Sequence, residues 1–119
     1  MDKTFKTKHT VEERRSEFQR IHEKYPERIP IIVENIENSA NENIPVLEKK
    51  KFLVPPSITF GQFMYIIRSR INLAPEKAIF VFINNVIPCN TQNIQQIYNE
   101  YKDEDGFLYC TFSGESTFG

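Results

Sequence analysis

One amphipathic helix constrains the fold of this chain more than any other feature. Thr59 followed by Gln62 forms a capping-box pattern, which marks the start of a helix. The helix then carries a wide apolar stripe made of Phe60, Phe63, Ile66, Ile67 and Ile71. A stripe of this width must be buried against another layer, so we expect the helix to be half buried against a sheet.

Four short segments that are rich in β-branched and aromatic residues predict the strands of that sheet. They cover residues 28–34, 52–54, 78–83 and 107–112. Because residues 78–83 are apolar without interruption, we predict a central strand there, followed by a turn at Asn84 and Asn85. Residues 35–43 are rich in Asn and Glu, which predicts a loop.

Two further helices flank these strands. Thr10 followed by Glu13 repeats the capping box and predicts a helix over residues 11–24, which Pro26 ends. Thr91 can cap a last helix, whose apolar side consists of Ile94, Ile97, Tyr98 and Tyr101. The order helix, β, β, α, β, α, β, with room for a short extra helix at the start, is that of a ubiquitin-like β-grasp domain. We therefore predict an α+β fold with a mixed four-stranded sheet.

The composition excludes several classes of function. The chain has 119 residues and a formal net charge of −1, so no overall positive field attracts nucleic acid. Its longest apolar run, residues 78–83, is far shorter than the roughly 18 residues of a membrane span, and the N-terminus predicts no secretory signal. Cys89 and Cys110 have neither disulfide-framework nor metal-site spacing, and we expect no metal and no cofactor.

The segment that precedes the second strand predicts an exposed sheet edge. Three cations, Lys49, Lys50 and Lys51, stand immediately before residues 52–54, and Pro55 cuts the strand short. Alternation along the strand sends Phe52 and Val54 to one face and Lys51 and Leu53 to the other. Such an edge can accept an extended peptide as an additional strand. The lysines can equally be a solvated edge that prevents aggregation, and the residue types alone leave both readings open.

The sequence ends at Gly119, after a polar segment of residues 113–117 and Phe118. A glycine carboxylate is unhindered by a side chain, so it can enter a narrow enzyme channel and be activated as an adenylate and then a thioester. Ubiquitin-like modifiers end in this way. This feature predicts that the terminal carboxylate takes part in conjugation.

Five long segments closely resemble the autophagy ubiquitin-like modifiers, the proteins that become joined to phosphatidylethanolamine on the autophagosome. They are residues 12–17, 24–34, 48–55, 80–88 and 101–109, and the resemblance covers nearly the whole chain. It implies two N-terminal helices within residues 1–27, a β-grasp core over residues 28–112 and a conjugation tail over residues 113–119. It also implies that Gly119 is the site of lipid conjugation.

The resemblance further implies two side-chain pockets beside the edge strand. The aromatic-accepting pocket would be lined by Glu17, Ile21, Pro30, Lys51, Leu53 and Phe107. The aliphatic-accepting pocket would be lined by Phe52, Val54, Pro55, Ile58, Phe63 and Ile66. Acidic groups that flank an aromatic-x-x-aliphatic motif in the partner would be received by Tyr25, Arg28, Lys49 and Lys51.

The partners implied by the resemblance are the autophagy activating and conjugating enzymes, a deconjugating cysteine protease, and cargo receptors or adaptors that carry the motif. The protein would be cytoplasmic before conjugation and on the autophagosome membrane afterwards. Residues beyond Gly119 would either be removed by the protease or never be encoded. Two alternatives remain: a β-grasp interaction domain that is never conjugated, and an enzyme with Cys89 or Cys110 as nucleophile and His9 or His22 as base.

Overall fold

Four helices and a mixed four-stranded sheet form the part of the chain that the computed structural model describes, namely residues 4–35, 50–71 and 76–114. The helices are α1 (Phe5–Lys8), α2 (Val11–Lys24), α3 (Phe60–Ile71) and α4 (Ile94–Tyr101). The strands are β1 (Ile29–Asn35), β2 (Lys51–Val54), β3 (Phe80–Phe82) and β4 (Leu108–Ser113). This architecture confirms the predicted α+β class, the mixed sheet and the two N-terminal helices.

The strand order in the sheet is β2-β1-β4-β3. β1 pairs antiparallel with β2 and parallel with β4, and β3 pairs antiparallel with β4. β1 is buried from Ile29 to Glu34 because helices cover both faces of the sheet. Ile31 and Val33 face the main core with α3 and α4, whereas Ile32 faces a smaller cluster beneath α1 and α2.

The prediction of a central third strand is wrong. β3 has three residues and lies at the edge of the sheet, beside β4 alone. Val81 and Ile83 nevertheless belong to the main core, and Ile79 and Phe82 are also buried. A strand whose two faces are both buried has an uninterrupted apolar sequence, and an edge strand can be buried in this way without a neighbouring strand on each side.

Local capping signals were mostly accurate. In the Thr10–Glu13 box, the Glu13 amide donates to Thr10 Oγ1 at 3.1 Å, and in the second box the Gln62 amide donates to Thr59 Oγ1 at 3.2 Å. The predicted cap at Thr91 is wrong, because α4 starts at Ile94 and Asn93 caps it.

Two loop predictions had different outcomes. Asn84 and Asn85 have φ values of 52° and 63°, and the backbones of Ile83 and Val86 exchange hydrogen bonds of 2.8 and 3.0 Å, as in a two-residue hairpin turn. The predicted turn is therefore confirmed. Asn35, predicted to begin a loop, is the last residue of β1, and residues 36–43 lie outside the described residues.

Candidate peptide-binding groove

A groove with a volume of about 410 Å³ runs beside β2. Residues from α2, β1, β2 and α3, and from the segments next to β1, β2 and β4, line it: Ile21, Arg28, Pro30, Lys51, Phe52, Leu53, Val54, Pro55, Ile66, Arg70 and Phe107. β2 is the first strand in the sheet order, so its outer edge pairs with no other strand within residues 4–35, 50–71 and 76–114. The groove therefore combines apolar side chains with backbone groups that an extended chain can pair with.

One half of the groove brings together the residues assigned to the aromatic pocket. Ile21, Pro30, Lys51, Leu53 and Phe107 all line it, and Phe107 is fully buried as its floor. The sixth residue, Glu17, does not line the groove, but its carboxylate accepts a hydrogen bond from Lys51 Nζ. Partial burial lowers the pKa of the Lys51 ammonium group, while the adjacent carboxylate favours its charged form.

The other half contains most of the residues assigned to the aliphatic pocket. Phe52, Val54, Pro55 and Ile66 line it. Phe63 is fully buried beneath it, and its ring meets that of Phe52 edge to face with centroids 5.9 Å apart. Phe63 therefore supports the floor of the groove from inside the core.

Ile58, the remaining residue assigned to the aliphatic pocket, lines a neighbouring, shallower depression. This depression is adjacent to Thr59, Gly61, Gln62, Tyr65 and Asn90, and Ile66 lines both cavities. Ile58 therefore stands beside the end of the groove rather than within it.

The residues assigned to the charged rim are only partly assembled. Arg28 lines the groove, and its amide donates to the Tyr25 carbonyl at 3.1 Å, so Tyr25 lies on the adjoining turn without lining the cavity. Lys49 and Gly119 lie outside the described residues. Their predicted roles remain predictions.

Sequence reasoning missed Arg70 as a groove residue. Its guanidinium lies 5.7 Å from the centroid of the Phe52 ring, at the mouth of the groove. Arg70 follows Ile66 by four residues and Phe63 by seven, so helical spacing alone places all three on one face of α3. A search for cations on that face would have found it.

Cys110 and the two histidines lie in different parts of the fold. Cys110 is buried in the main core, where burial raises the pKa of its thiol and disfavours the thiolate. The His9 ring packs on Phe5 with centroids 4.7 Å apart, and the His22 ring stacks on Phe18 at 5.5 Å. His9 follows the end of α1 and His22 lies in α2, and both pack on rings of the cluster on the sheet face opposite to the one that buries Cys110.

Residues 4–35, 50–71 and 76–114 contain neither a metal-binding cluster nor a membrane-spanning helix. Across them, the His, Cys, Asp and Glu side chains form no group of three or more that could hold a metal ion. In the same residues, no helix combines the length and apolarity needed to cross a bilayer.

Comparison with known proteins agrees with the fold and the resemblance. The family model described as autophagy protein Atg8, ubiquitin-like, matches residues 13–119. The Autophagy-related protein 8 of Mycosarcoma maydis is 52% identical over 119 residues, which cover 100% of this chain and 98% of that protein. The crystal structure of Trypanosoma brucei ATG8 is 44% identical and superimposes with a TM-score of 0.87 over 100% of both chains.

A second solved structure is Plasmodium falciparum Atg8 in complex with a Plasmodium falciparum Atg3 peptide. It is 38% identical, has a TM-score of 0.87, and the match covers 98% of this chain and 100% of that one.

Proposed function

This chain belongs to the Atg8 family of ubiquitin-like autophagy proteins, and we propose that it is conjugated through Gly119 to phosphatidylethanolamine and recruits partner proteins through the groove beside β2. The observation that carries the proposal is that β2, an edge strand, has apolar side chains on both of its sides in a chain that belongs to this family. The domain acts as a modifier and performs no catalysis itself.

A partner peptide adds to the sheet as a further strand along β2. Its aromatic side chain enters the half of the groove floored by Phe107, and its aliphatic side chain enters the half beside Ile66. Burying the two side chains contributes roughly 1.5 to 3 kcal/mol each. After the cost of ordering the peptide, we expect a dissociation constant near the micromolar range, about −8 kcal/mol.

Positive charge around the groove favours acidic residues beside the motif. Arg28, Lys51 and Arg70 all line it. Each exposed ion pair adds only about 0 to 1 kcal/mol, so these cations mainly steer the peptide and select its flanking residues. The partners that fit are cargo receptors and adaptors with an acidic aromatic-x-x-aliphatic motif.

Conjugation requires activating and conjugating enzymes of autophagy as further partners. The Atg3 peptide bound to the Plasmodium relative supports a conjugating enzyme as one of them. A deconjugating cysteine protease would release the protein again. The two acyl chains of the lipid would anchor it, since each buried methylene contributes about 0.8 kcal/mol. The protein would then move from the cytoplasm to the autophagosome membrane.

Peptide titration tests the groove. In Leu53→Ala with Ile66→Ala, affinity for the peptide should fall about tenfold, which is about 1.4 kcal/mol. The matched control is Tyr65→Ala, which removes a large, 73% exposed side chain next to Ile66 in sequence but outside the groove. Equal affinity for the folded double variant and the wild type would contradict binding at this groove.

Reconstitution tests conjugation. With ATP, the activating and conjugating enzymes and liposomes that contain phosphatidylethanolamine, the protein should gain the mass of one lipid. Deletion of Gly119 should abolish this gain and leave peptide affinity unchanged. Peptide binding without any mass gain, under conditions where another family member reacts, would show a β-grasp interaction domain that is not conjugated.

A further inference from the structure

The aromatic half of the groove depends on α2, a helix that buries little apolar surface in the core. Ile21 of α2 lines the groove, and Glu17 of α2 accepts a hydrogen bond from Lys51. None of the α2 side chains is fully buried. Phe18 and Ile21 pack only partly buried against the small cluster beneath the helix. Something other than deep apolar burial must therefore set the position of α2.

Asp105 provides that attachment. Its side chain is 0% exposed, and its Oδ2 accepts hydrogen bonds from Arg14 Nη1 at 2.7 Å and from the Tyr109 hydroxyl at 2.5 Å. Its Oδ1 accepts a third hydrogen bond, from the Phe107 amide at 2.8 Å. A buried carboxylate is tolerated when its oxygens are satisfied and its charge is paired, as they are here. Removal of one partner is therefore costly.

The Tyr109 hydroxyl is held in its donor form. Burial, together with the hydrogen bond to Asp105, raises the pKa of Tyr109, so the phenol stays protonated and donates. Arg14 is only 12% exposed in its side chain, which also limits competition by water for the bond to Asp105. The cluster thus joins α2 to β4 through directional bonds between well-shielded groups.

These bonds are linked to two residues that line the groove, Ile21 and Phe107. Arg14, Phe18 and Ile21 stand at positions i, i+4 and i+7, so they share one face of α2. Asp105 precedes Phe107, the floor of the groove, by two residues and bonds to its amide. The hydrogen bond between Arg14 and Asp105 therefore connects the face of α2 that carries Ile21 with the turn that leads into Phe107.

Gly106, between Asp105 and Phe107, allows α2 to approach closely. Its φ is +100°, and a Cβ there would lie 2.5 Å from Cγ of Phe18. The ring of Phe18 thus packs against the backbone of the turn that carries Asp105 and leads into Phe107. Side-chain packing and the polar bonds act on the same turn.

We propose that Arg14, Asp105 and Tyr109 form a positioning cluster that holds α2 so that the aromatic half of the groove has the shape its ligand needs. The proposal rests on the proposed peptide-binding function and names three residues that do not touch the peptide. Loss of the cluster shifts Glu17 and Ile21 while the aliphatic half, built on α3, keeps its geometry. The cluster therefore governs affinity for the aromatic anchor alone.

Paired peptides test this selectivity. One peptide carries the intact aromatic-x-x-aliphatic motif, and the second has alanine at the aromatic position. In Arg14→Gln, affinity for the intact peptide should fall about tenfold and affinity for the alanine peptide should hardly change, because coupling energies within one network reach this size. Equal losses for the two peptides, or no loss for either, would overturn the proposal.

Arg15→Gln is the matched control. Arg15 is the next residue of α2 and pairs with Glu104 of the same turn at 3.4 Å, but both side chains are more than half exposed. The same change of charge should therefore leave affinity for both peptides unaltered. Arg14→Lys, which retains the cation, should restore part of the lost affinity. Absence of any rescue would indicate a general loss of structure instead of lost positioning.

A structural measurement separates this proposal from the proposed function. In the wild type and Arg15→Gln, nuclear Overhauser contacts should connect the Ile21 methyl groups with the Phe107 ring, and in Arg14→Gln they should weaken. If Arg14→Gln does not fold, Tyr109→Phe, which removes one bond to Asp105, decides the matter through a smaller loss in the same direction. If the wild type binds no peptide but the contacts between Ile21 and Phe107 still weaken in Arg14→Gln, the groove function alone is refuted. Unchanged contacts with unchanged binding would refute the cluster alone.

Discussion

The two helices beside the groove are attached to the protein by different physics. α3 buries Phe60, Phe63 and Ile67 completely in the main core, whereas α2 buries no side chain completely and relies on ion pairs, partial packing and one buried carboxylate. Apolar burial does not depend on the protonation of side chains, whereas charge pairing does. The α3 side of the groove is thus attached by apolar burial, whereas the attachment of the α2 side depends on pH.

The largest loss of stability should come from shortening a core side chain of α3. Phe63→Ala should lower the free energy of unfolding by about 3 to 5 kcal/mol, because it leaves a cavity beneath Phe52 in the main core. Denaturant unfolding measures this. Phe18→Ala on α2, whose ring is only partly buried, should cost clearly less, and equal costs would mean that the two walls are rooted alike.

Gly106→Ala should have the next largest effect, on the α2 side. The new Cβ would meet the Phe18 ring at 2.5 Å, and alanine is strained at a φ of +100°. Stability should fall by roughly 1 to 3 kcal/mol, measured by denaturant unfolding.

Gly61→Ala is the control for that substitution. In α3, the added Cβ would lie 3.4 Å from Asn90, with no strained φ, and alanine favours helix by about 1 kcal/mol. Its stability should therefore change little. A comparable loss in both variants would remove the special role assigned to the turn at Gly106.

Acid should loosen α1 and α2 before α3, because the Asp103 carboxylate pairs with Lys6 of α1 and lies 3.8 Å from the Arg14 guanidinium of α2. Burial favours the neutral form of the Asp103 carboxyl group, but hydrogen bonds from Lys6 Nζ at 2.6 Å and from the Asp105 amide at 3.1 Å outweigh it and lower its pKa. A lowered pKa in the folded state contributes stability that is present above the unfolded value, about 4, and is lost as pH falls through the folded value.

Amide hydrogen exchange measures this difference between the helices. On acidification below the ordinary aspartate range, protection in α1 and α2 should fall earlier than in α3. Asp103→Asn should lose this part of the pH dependence. Simultaneous loss of protection in all three helices, in both proteins, would contradict it.

The smallest effect should come from the exposed rim. Arg28→Gln removes one exposed cation from the groove and should make the binding free energy of an acidic peptide less favourable by about 0 to 1 kcal/mol. The loss should appear mainly as slower association that becomes less sensitive to salt. Stopped-flow rates at low and high ionic strength measure it, and an association rate independent of salt in the wild type would leave the cations as edge protection only.

Short-range signals made much of the fold predictable. The bounds of α2 agree with those predicted because the capping box at Thr10 and the proline at Pro26 act within a few residues of the helix ends. The two sides of β2 follow in the same way from the period of two in a strand, with Phe52 and Val54 buried and Lys51 and Leu53 half buried. The four β2 residues taken from the family resemblance lie on the two sides of the strand because of this alternation.

Other features were invisible in the sequence because they depend on distant contacts. The edge position of β3 depends on its pairing with β4, and the apolar run of residues 78–83 is the same wherever both faces are covered. Helical spacing places Arg70 on the same face as Phe63 and Ile66, but only the packing of α3 beside β2 shows that this face borders the groove. For these features, local periodicity carries no information about the neighbour.

The sequence by itself determined the helices, the strand alternation and the α+β class, because hydrogen bonds and side-chain periods act over a few residues. Only the tertiary structure decided how α2 stands against the groove. Arg14 and Asp105 are 91 residues apart, and nothing local to either one marks it as the other's partner. Their bond exists because β4 lies parallel to β1 in the sheet and brings the turn before it beneath α2. Water is largely excluded there, which strengthens the interaction between the two charged groups.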